Sequence, residues 1–496
     1  MLNSLDYTVI LFNLALVCGI GFWFGRKQKD TEDFFLARRQ MPWGAVMLGI
    51  LAAEISALTF VGVPADSFAA NFLFFQIMLG SLIGRILIAV FFLPAFYSRR
   101  VTTVYEYLKL RFGDRTRDVG IVFFFVVRLL GTGVRLGITA KALEVLSGLS
   151  YFESVCAVAV VAVAYTTFGG IKGVIWADVV QFIILVGGVG LALYLIIDKI
   201  PGGVEGAHTI LKKAVDAAGH PAHKLQVFDF SFSLTKKSVF IAAVLNGCFQ
   251  TFAALGTDQA STQRMLTCKD VGRSKKSLIL TGVIDLPIYA IFLLVGAALY
   301  VFNVHTGFAN GIKHNDHVFP TFIGQFLPPG VRGLLFSAIL AAAMSSFDSI
   351  LNALSTSAVM DIYKPYIRKN APDRHYLSVS RICVPFFALV LIGIAYALKN
   401  EDRVLWLAFE LTGYPYGAML GVFLAGVLTR RGSNVGNILA MTSSVALLLA
   451  IRYMIYPELN WQFFVVIGTL WTFGVAVLFK PRPRALSEAE TTAAAC

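Results

Sequence analysis

Leu51-Ala-Ala-Glu-Ile-Ser-Ala-Leu-Thr-Phe-Val-Gly-Val-Pro64 is the stretch on which the fold turns. It lies inside a long apolar run, yet Glu54, Ser56, Thr59, Gly62 and Pro64 interrupt it. That composition suits a helix broken in mid-membrane. Carbonyls freed at such a break can bind a cation, and the exposed N–H end of the second half can bind a polar solute. A second stretch, Asn246-Gly-Cys-Phe-Gln-Thr-Phe-Ala-Ala-Leu-Gly-Thr-Asp-Gln259, has the same character. Its Asn246, Gln250, Thr251, Gly256, Thr257 and Asp258 point to a second break.

Working outward, apolar runs of about twenty residues recur along the chain, each long enough to cross roughly 30 Å of hydrocarbon as a helix. They predict an all-α polytopic membrane protein of about thirteen spans. The spans fall near 5–25, 42–70, 72–97, 118–147, 151–168, 174–198, 238–264, 277–302, 331–361, 378–398, 403–429, 434–453 and 460–479. We number them helix 0 to helix 12. The two interrupted runs are then helices 1 and 6, five apart, as the first members of two five-helix repeats would be. Polar loops near 199–237 and 303–330 separate the groups, and the chain after Lys480 reads as a short polar tail without an appended catalytic or sensor domain. The first apolar run, Leu5 to Phe24, lacks a preceding basic region and a small-residue cleavage site, so it reads as a retained helix.

Composition agrees. The 496 residues are 57% hydrophobic and only 14% charged, where a soluble domain averages about a quarter charged. A net charge of +13 raises nucleic acid as a partner, but the basic residues sit in short hops between apolar runs, where they orient helices. With the N-terminus outside, the inward loops and tail hold about 27 Lys and Arg against about 11 on the other face. This predicts a cytoplasmic C-terminus. Cys18, Cys156, Cys248, Cys268, Cys383 and Cys496 show no metal-ligand spacing and read as free thiols. There is no Gly-rich nucleotide loop, metal-ligand cluster or nucleophile elbow, so neither an ATP-driven pump nor a membrane enzyme is expected.

Ionisable groups within spans are costly and usually face a cavity or a partner. Here they are Glu54, Arg85, Arg128, Arg135, Asp178, Asp258, Asp285, Asp348 and Glu410. Arg128 and Arg135, seven apart, share a helix face, and Asp285 stands near Pro287, where it is placed to satisfy backbone freed by the proline. Ala341-Ala-Ala-Met-Ser-Ser-Phe-Asp-Ser349 puts Ser345, Asp348 and Ser349 on one helical stripe. Small residues alone would suit close helix packing. A carboxylate among hydroxyls fits a hard monovalent cation, which trades water oxygens for protein oxygens.

These stretches, with Gly169-Gly-Ile-Lys-Gly-Val-Ile-Trp-Ala-Asp-Val-Val-Gln181 and Asp258-Gln-Ala-Ser-Thr-Gln-Arg264, resemble the sodium/solute symporter family along nearly the whole chain. Ala177 stands where the family usually has Thr. The likeness is nearer the sialic acid, monocarboxylate, vitamin and iodide carriers than the galactose carriers. It implies a LeuT-type fold, a 5+5 inverted repeat with helices 1 and 6 broken. Helix 0 would occupy 1–30, the first repeat 40–198, an extracytoplasmic loop 199–237, the second repeat 238–430, accessory helices 11 and 12 431–480, and a cytoplasmic tail 481–496.

The resemblance also implies a coupling-ion site between helices 1 and 8, at the carbonyls of Ala52, Ile55 and Ala342 and the hydroxyls of Ser345 and Ser346. A second sodium would use Asp178, Ser345, Asp348 and Ser349; sialic acid carriers have serine at the Asp348 position. Candidate substrate contacts are Glu54, Ser56, Thr59, Phe74, Arg135, Gln250 and Thr251. The carboxylate-reading arginine of the sialic acid carriers aligns without gaps to Gly131, so Arg135 serves only if the register shifts by one turn. The expected function is sodium-coupled import of a small polar solute, with one or two Na+ ions, by a protein that works as a monomer in a cell membrane. The solute would be a sialic acid, sugar acid or other monocarboxylate. A sodium/sugar or polyol symporter, a solute sensor of transporter fold and an ion channel are the competing readings.

Overall fold

The computed structural model describes residues 3–25, 30–214, 223–236, 238–312, 314–397, 399 and 404–480. The tail 481–496 and the side chain of Glu410 lie outside what is described. Within the described residues the chain is helical, with no strand and one isolated bridge, Met41 to Cys268.

Nine described helices are long and apolar enough to cross a membrane, and two bent pairs bring the number to 11. Tyr151–Ala164 and Thr412–Leu428 are shorter apolar helices. The expected thirteen spans are reached only if both of these cross as well.

Helix 1 is divided as the interrupted run implies. Helix 1a is Trp43–Glu54 and helix 1b is Ala57–Ala69, and the pair bends by 57°. Ile55 (φ −80°, ψ 89°) and Ser56 (φ −83°, ψ 168°) are the non-helical link. Pro64 lies inside helix 1b, downstream of the break. Its carbonyl instead marks a close crossing, because a Cβ on Gly296 of helix 7 (Val271–Thr306) would stand 2.1 Å from Pro64 O. Helix 6 is divided into helix 6a, Phe240–Gly256, and helix 6b, Gln259–Leu266, bent by 67°. Asp258 caps helix 6b by accepting a hydrogen bond from Ala260 N at 2.9 Å.

Helices 4 and 5 run on without a loop between them as one stretch, Tyr151–Asp198, of 48 residues. Straight, it would run ~72 Å, more than twice the hydrocarbon thickness. Gly170 divides it, with φ 51° and ψ −164°, a conformation open to glycine and strained for other residues. That is the structural use of the Gly169-Gly170 pair.

Helix 8, Val331–Ser357, is the centre of the molecule. Nearly all of its most apolar stretch is buried, whereas most of helix 0, Ser4–Gly25, is not. Helix 0 is therefore peripheral. It docks through buried Asp6, whose Oδ1 accepts from Gly330 N (2.7 Å) and Gly333 N (2.9 Å) at the start of helix 8, where the helix dipole favours an anion.

Helix 2 begins with Phe75–Leu87 and packs on helix 6a with backbones nearly touching. A Cβ on Gly80 would lie 2.1 Å from Val244 O, and one on Gly247 2.0 Å from Ile77 O. We expect Gly247→Ala to lower stability by about 1–3 kcal/mol through overpacking, seen as a lower unfolding temperature in detergent. Gly187→Ala is the control, since nothing lies within 4 Å of its Cβ. Equal behaviour of the two variants would show that this crossing tolerates separation.

Candidate functional site

The helix 1 break ends helix 1a with carbonyls that have no further helical N–H to receive. Helix 8 supplies partners. Ser345 Oγ donates to Ala52 O at 2.7 Å and lies 3.3 Å from Ala342 O. Ser346 Oγ donates to Ala53 O at 3.1 Å and reaches Ala342 O at 3.3 Å. Three carbonyl oxygens and two hydroxyls thus meet between helices 1 and 8. Neutral oxygen donors of this kind suit a hard, weakly charged cation. Ala52, Ala342, Ser345 and Ser346 are brought together as the sequence implied. Ile55 is fully buried in the link itself, while the Ser346 partner is Ala53, one residue outside the expected set. Among the described residues no group of three or more His, Cys, Asp or Glu could hold a metal ion.

Asp178, Ser345, Asp348 and Ser349 also converge, but around Arg264, which sequence counts among the orienting basic residues of an inward loop and which the fold instead buries. Arg264, at the end of the Asp258–Arg264 motif, donates through Nη2 to Asp178 Oδ2 at 2.5 Å and to Ser349 Oγ. Ser349 Oγ in turn reaches Ser345 O and Asp348 Oδ1, the latter at 3.1 Å. Arg264 is 1% exposed and Asp178 fully buried. A guanidinium therefore meets the carboxylate expected to share a second sodium. The motif carried the signal, an arginine inside an otherwise small and polar segment.

The candidate substrate residues separate into two groups. Ser56 and Arg135 face one cavity with Thr132, Thr139, Phe347 and Ser346 of the candidate cation site. Arg135 forms no ion pair among the described residues, whereas its neighbour along the face, Arg128, pairs with Asp258 at 2.5 Å. The other group surrounds Arg85 on helix 2. Arg85 Nη2 bonds Glu54 Oε2 at 2.5 Å and also Asp285 of helix 7, and Nη1 bonds Ser81 Oγ at 2.5 Å. Ser81 Oγ shares a 2.7 Å hydrogen bond with Thr251. Asp285 of helix 7 thus answers an arginine on helix 2, where the sequence suggested the backbone near Pro287. Phe74 stacks on Tyr289 at 5.9 Å between ring centroids, and Thr59 lies beside the Tyr289 phenol. Gln250 is half-buried on helix 6a. Glu54 and Thr251 are tied into this network and do not line the Arg135 cavity.

The sodium:solute symporter family description matches residues 34–443. The sodium/glucose cotransporter of Vibrio parahaemolyticus is 29% identical over 472 residues, covering 91% of this chain and 86% of the relative. The sodium/sialic acid symporter NanT of Aliivibrio fischeri is 28% identical over 487 residues, covering 97% and 93%. Identity does not separate the sugar branch from the acid branch. A solved structure, the substrate-bound outward-open state of a Na+-coupled sialic acid symporter, superposes with a TM-score of 0.88 at 25% identity, covering 97% of this chain and 99% of that one. The LeuT-type architecture follows from that superposition.

The Arg264–Asp178 pair generates a stability test. Removing one partner of a buried ion pair strands the other and costs about 3–5 kcal/mol. We expect Arg264→Gln to unfold at markedly lower temperature, and Arg264→Gln combined with Asp178→Asn to regain most of the loss. A single variant as stable as the parent would show that Asp178 is compensated elsewhere.

Proposed function

The chain belongs to the sodium:solute symporter family, and from that premise we propose that it carries a small carboxylate-bearing solute inward with sodium. It is a multi-pass membrane protein and a sodium-coupled secondary transporter. The observation that supports the solute class is Arg135. An arginine that no acid meets among the described residues, facing a cavity beside the candidate cation-site serine, favours an anionic group there, because a guanidinium short of counter-charge in low dielectric gains most from a carboxylate it can bind bidentately. The register shift that Arg135 needed is consistent with its place in this cavity beside Ser56.

In this reading sodium sits at Ala52, Ala342, Ser345 and Ser346, with Ala53 or Ile55 completing the shell. It bridges the broken helix 1 to central helix 8. Binding there orders the helix 1 link, Ser56 included, and so favours solute on the adjoining cavity wall; linkage makes the effect reciprocal. Release follows when the first helices of the repeats rock against the rest of the bundle. Transport then needs one sodium, and a second enters the Asp178–Asp348 region only if Arg264 gives way. The N-terminus outside, the C-terminus in the cytoplasm and a functional monomer complete the proposal.

A sodium/sugar symporter is the second reading, supported by the similarity to the Vibrio glucose carrier. Uptake into proteoliposomes under an imposed sodium gradient decides between them, and accumulation above equilibrium also sets a transporter apart from a sensor or a channel. A thermal-shift screen of carboxylates, sugar acids and neutral sugars with and without sodium finds the solute, since linked ligands stabilise more together.

Two variants test the sites. Arg135→Gln removes a charged hydrogen bond worth about 1.5–3 kcal/mol, so it should raise the solute half-saturation about ten- to hundredfold while leaving stabilisation by sodium alone intact. Ser346→Ala should raise the sodium half-saturation in a protein that still folds and inserts. An unchanged sodium dependence would remove Ser346 from the ion site.

A further inference from the structure

The cluster around Arg85 has a charge that does not close. Arg85 is met by two carboxylates, Glu54 from helix 1a and Asp285 from helix 7. One guanidinium against two ionised carboxylates leaves one negative charge. Arg85 and Asp285 are each 2% exposed, so water does not carry that charge. The nearest further titratable group is Tyr289, one turn along helix 7. No other charged side chain faces Asp285 from helices 1b, 2 or 6a among the described residues. Arg128 and Arg264 are committed to Asp258 and Asp178. The two carboxylates also differ. The Glu54 side chain is 18% exposed and the Asp285 side chain 3%. Asp285 Oδ1 is buried and no N–H or O–H donor meets it, while the two carboxyl groups themselves lie within hydrogen-bond reach of each other. An ionised carboxylate oxygen with no donor is the costlier form at that position; a protonated carboxyl removes the surplus charge without moving a side chain.

We propose that Asp285 is a proton-binding site, occupied when the sodium site is empty and vacated when sodium binds. This rests on the sodium assignment above. Glu54 stands two residues after Ala52, on the last turn of the half-helix whose carbonyls would hold the ion, and Arg85 links Glu54 directly to Asp285. A sodium ion arriving at that turn adds one positive charge to a region short by one. The ionised form of Asp285 is then favoured, its O–H bond breaks, and the proton leaves to water. Sodium and the proton balance the same deficit, so each weakens the other's binding to the same degree.

The test is proton release on adding sodium chloride to the purified full chain in weak buffer, with choline chloride as control. Sodium-induced stabilisation is measured in the same samples. We expect sodium to release up to one proton per chain, sodium affinity to rise with pH by at most tenfold per unit, and a protonated-carboxyl band to disappear from the infrared difference spectrum. Asp285→Asn, which imitates the protonated acid, should abolish both the band and the release, and should bind sodium with little pH dependence. Stabilisation by sodium with no proton released by the parent chain between pH 5 and 9 overturns the Asp285 site alone. So does release that persists in Asp285→Asn, which would place the proton in the Asp178–Asp348 cluster. Absence of any stabilisation by sodium overturns this proposal together with the sodium site. If Asp285→Asn does not fold, release and the infrared band in the parent chain still decide.

Discussion

A peptide group in hydrocarbon has no water to bond, and this constraint shapes the rest of the molecule. Interrupting helix 1 at Ile55 and Ser56 frees carbonyls at Ala52 and Ala53. They persist because Ser345 and Ser346 reach across from helix 8 to meet them. The same atoms form the candidate ion site, so the device that makes the break tolerable also makes it functional. Helix 8 must then be central, small-sided and almost wholly buried, as it is. The small residues of Ala341–Ala343 let helix 1a approach closely enough for a hydroxyl to span the gap.

The second constraint is charge. Three arginines within the bundle are matched to acids on distant segments, Arg85 to Glu54 and Asp285, Arg128 to Asp258, and Arg264 to Asp178. Each pair joins elements that sequence separates by tens to hundreds of residues, and two of them involve helix 6 or the segment that follows its break. Arg135 departs from this pattern and faces a cavity. The departure is informative, because a half-buried charge that no acid meets among the described residues is costly to hold.

The face that carries most of the basic loops is closed by polar contacts over buried aromatics. There the segment before helix 1 is held by Met41 N to Thr267 O at 3.1 Å, by Gln263 Nε2 to Phe35 O at 2.8 Å, and by Lys172 to Asp33 at 3.3 Å. Phe34 and Phe35 are fully buried beneath it. These contacts tie helix 1 to helices 5 and 6, the elements whose relative movement alternating access requires.

Much of this was legible from the chain alone. Apolar run length and the alternation of basic loops gave the membrane class, and the polar and small residues within 54–64 and 246–258 pointed to both breaks. Such residues are readily accommodated where a backbone leaves the helix, although Ile55 in the link shows that an apolar side chain can sit there too. The Ser345–Ser349 stripe showed its own periodicity. Pro64 lies inside helix 1b rather than at the break, because local sequence does not say which peptide bond yields. What the tertiary structure decided was pairing. That Asp285 answers Arg85 rather than the backbone near Pro287, that Arg264 enters the cluster of Asp178 and Ser349, that Glu54 and Thr251 belong to a network while Arg135 faces a cavity, all depend on which helices touch. A single sequence records the cost of burying each charge, but the partner that offsets it is fixed only when the helices pack.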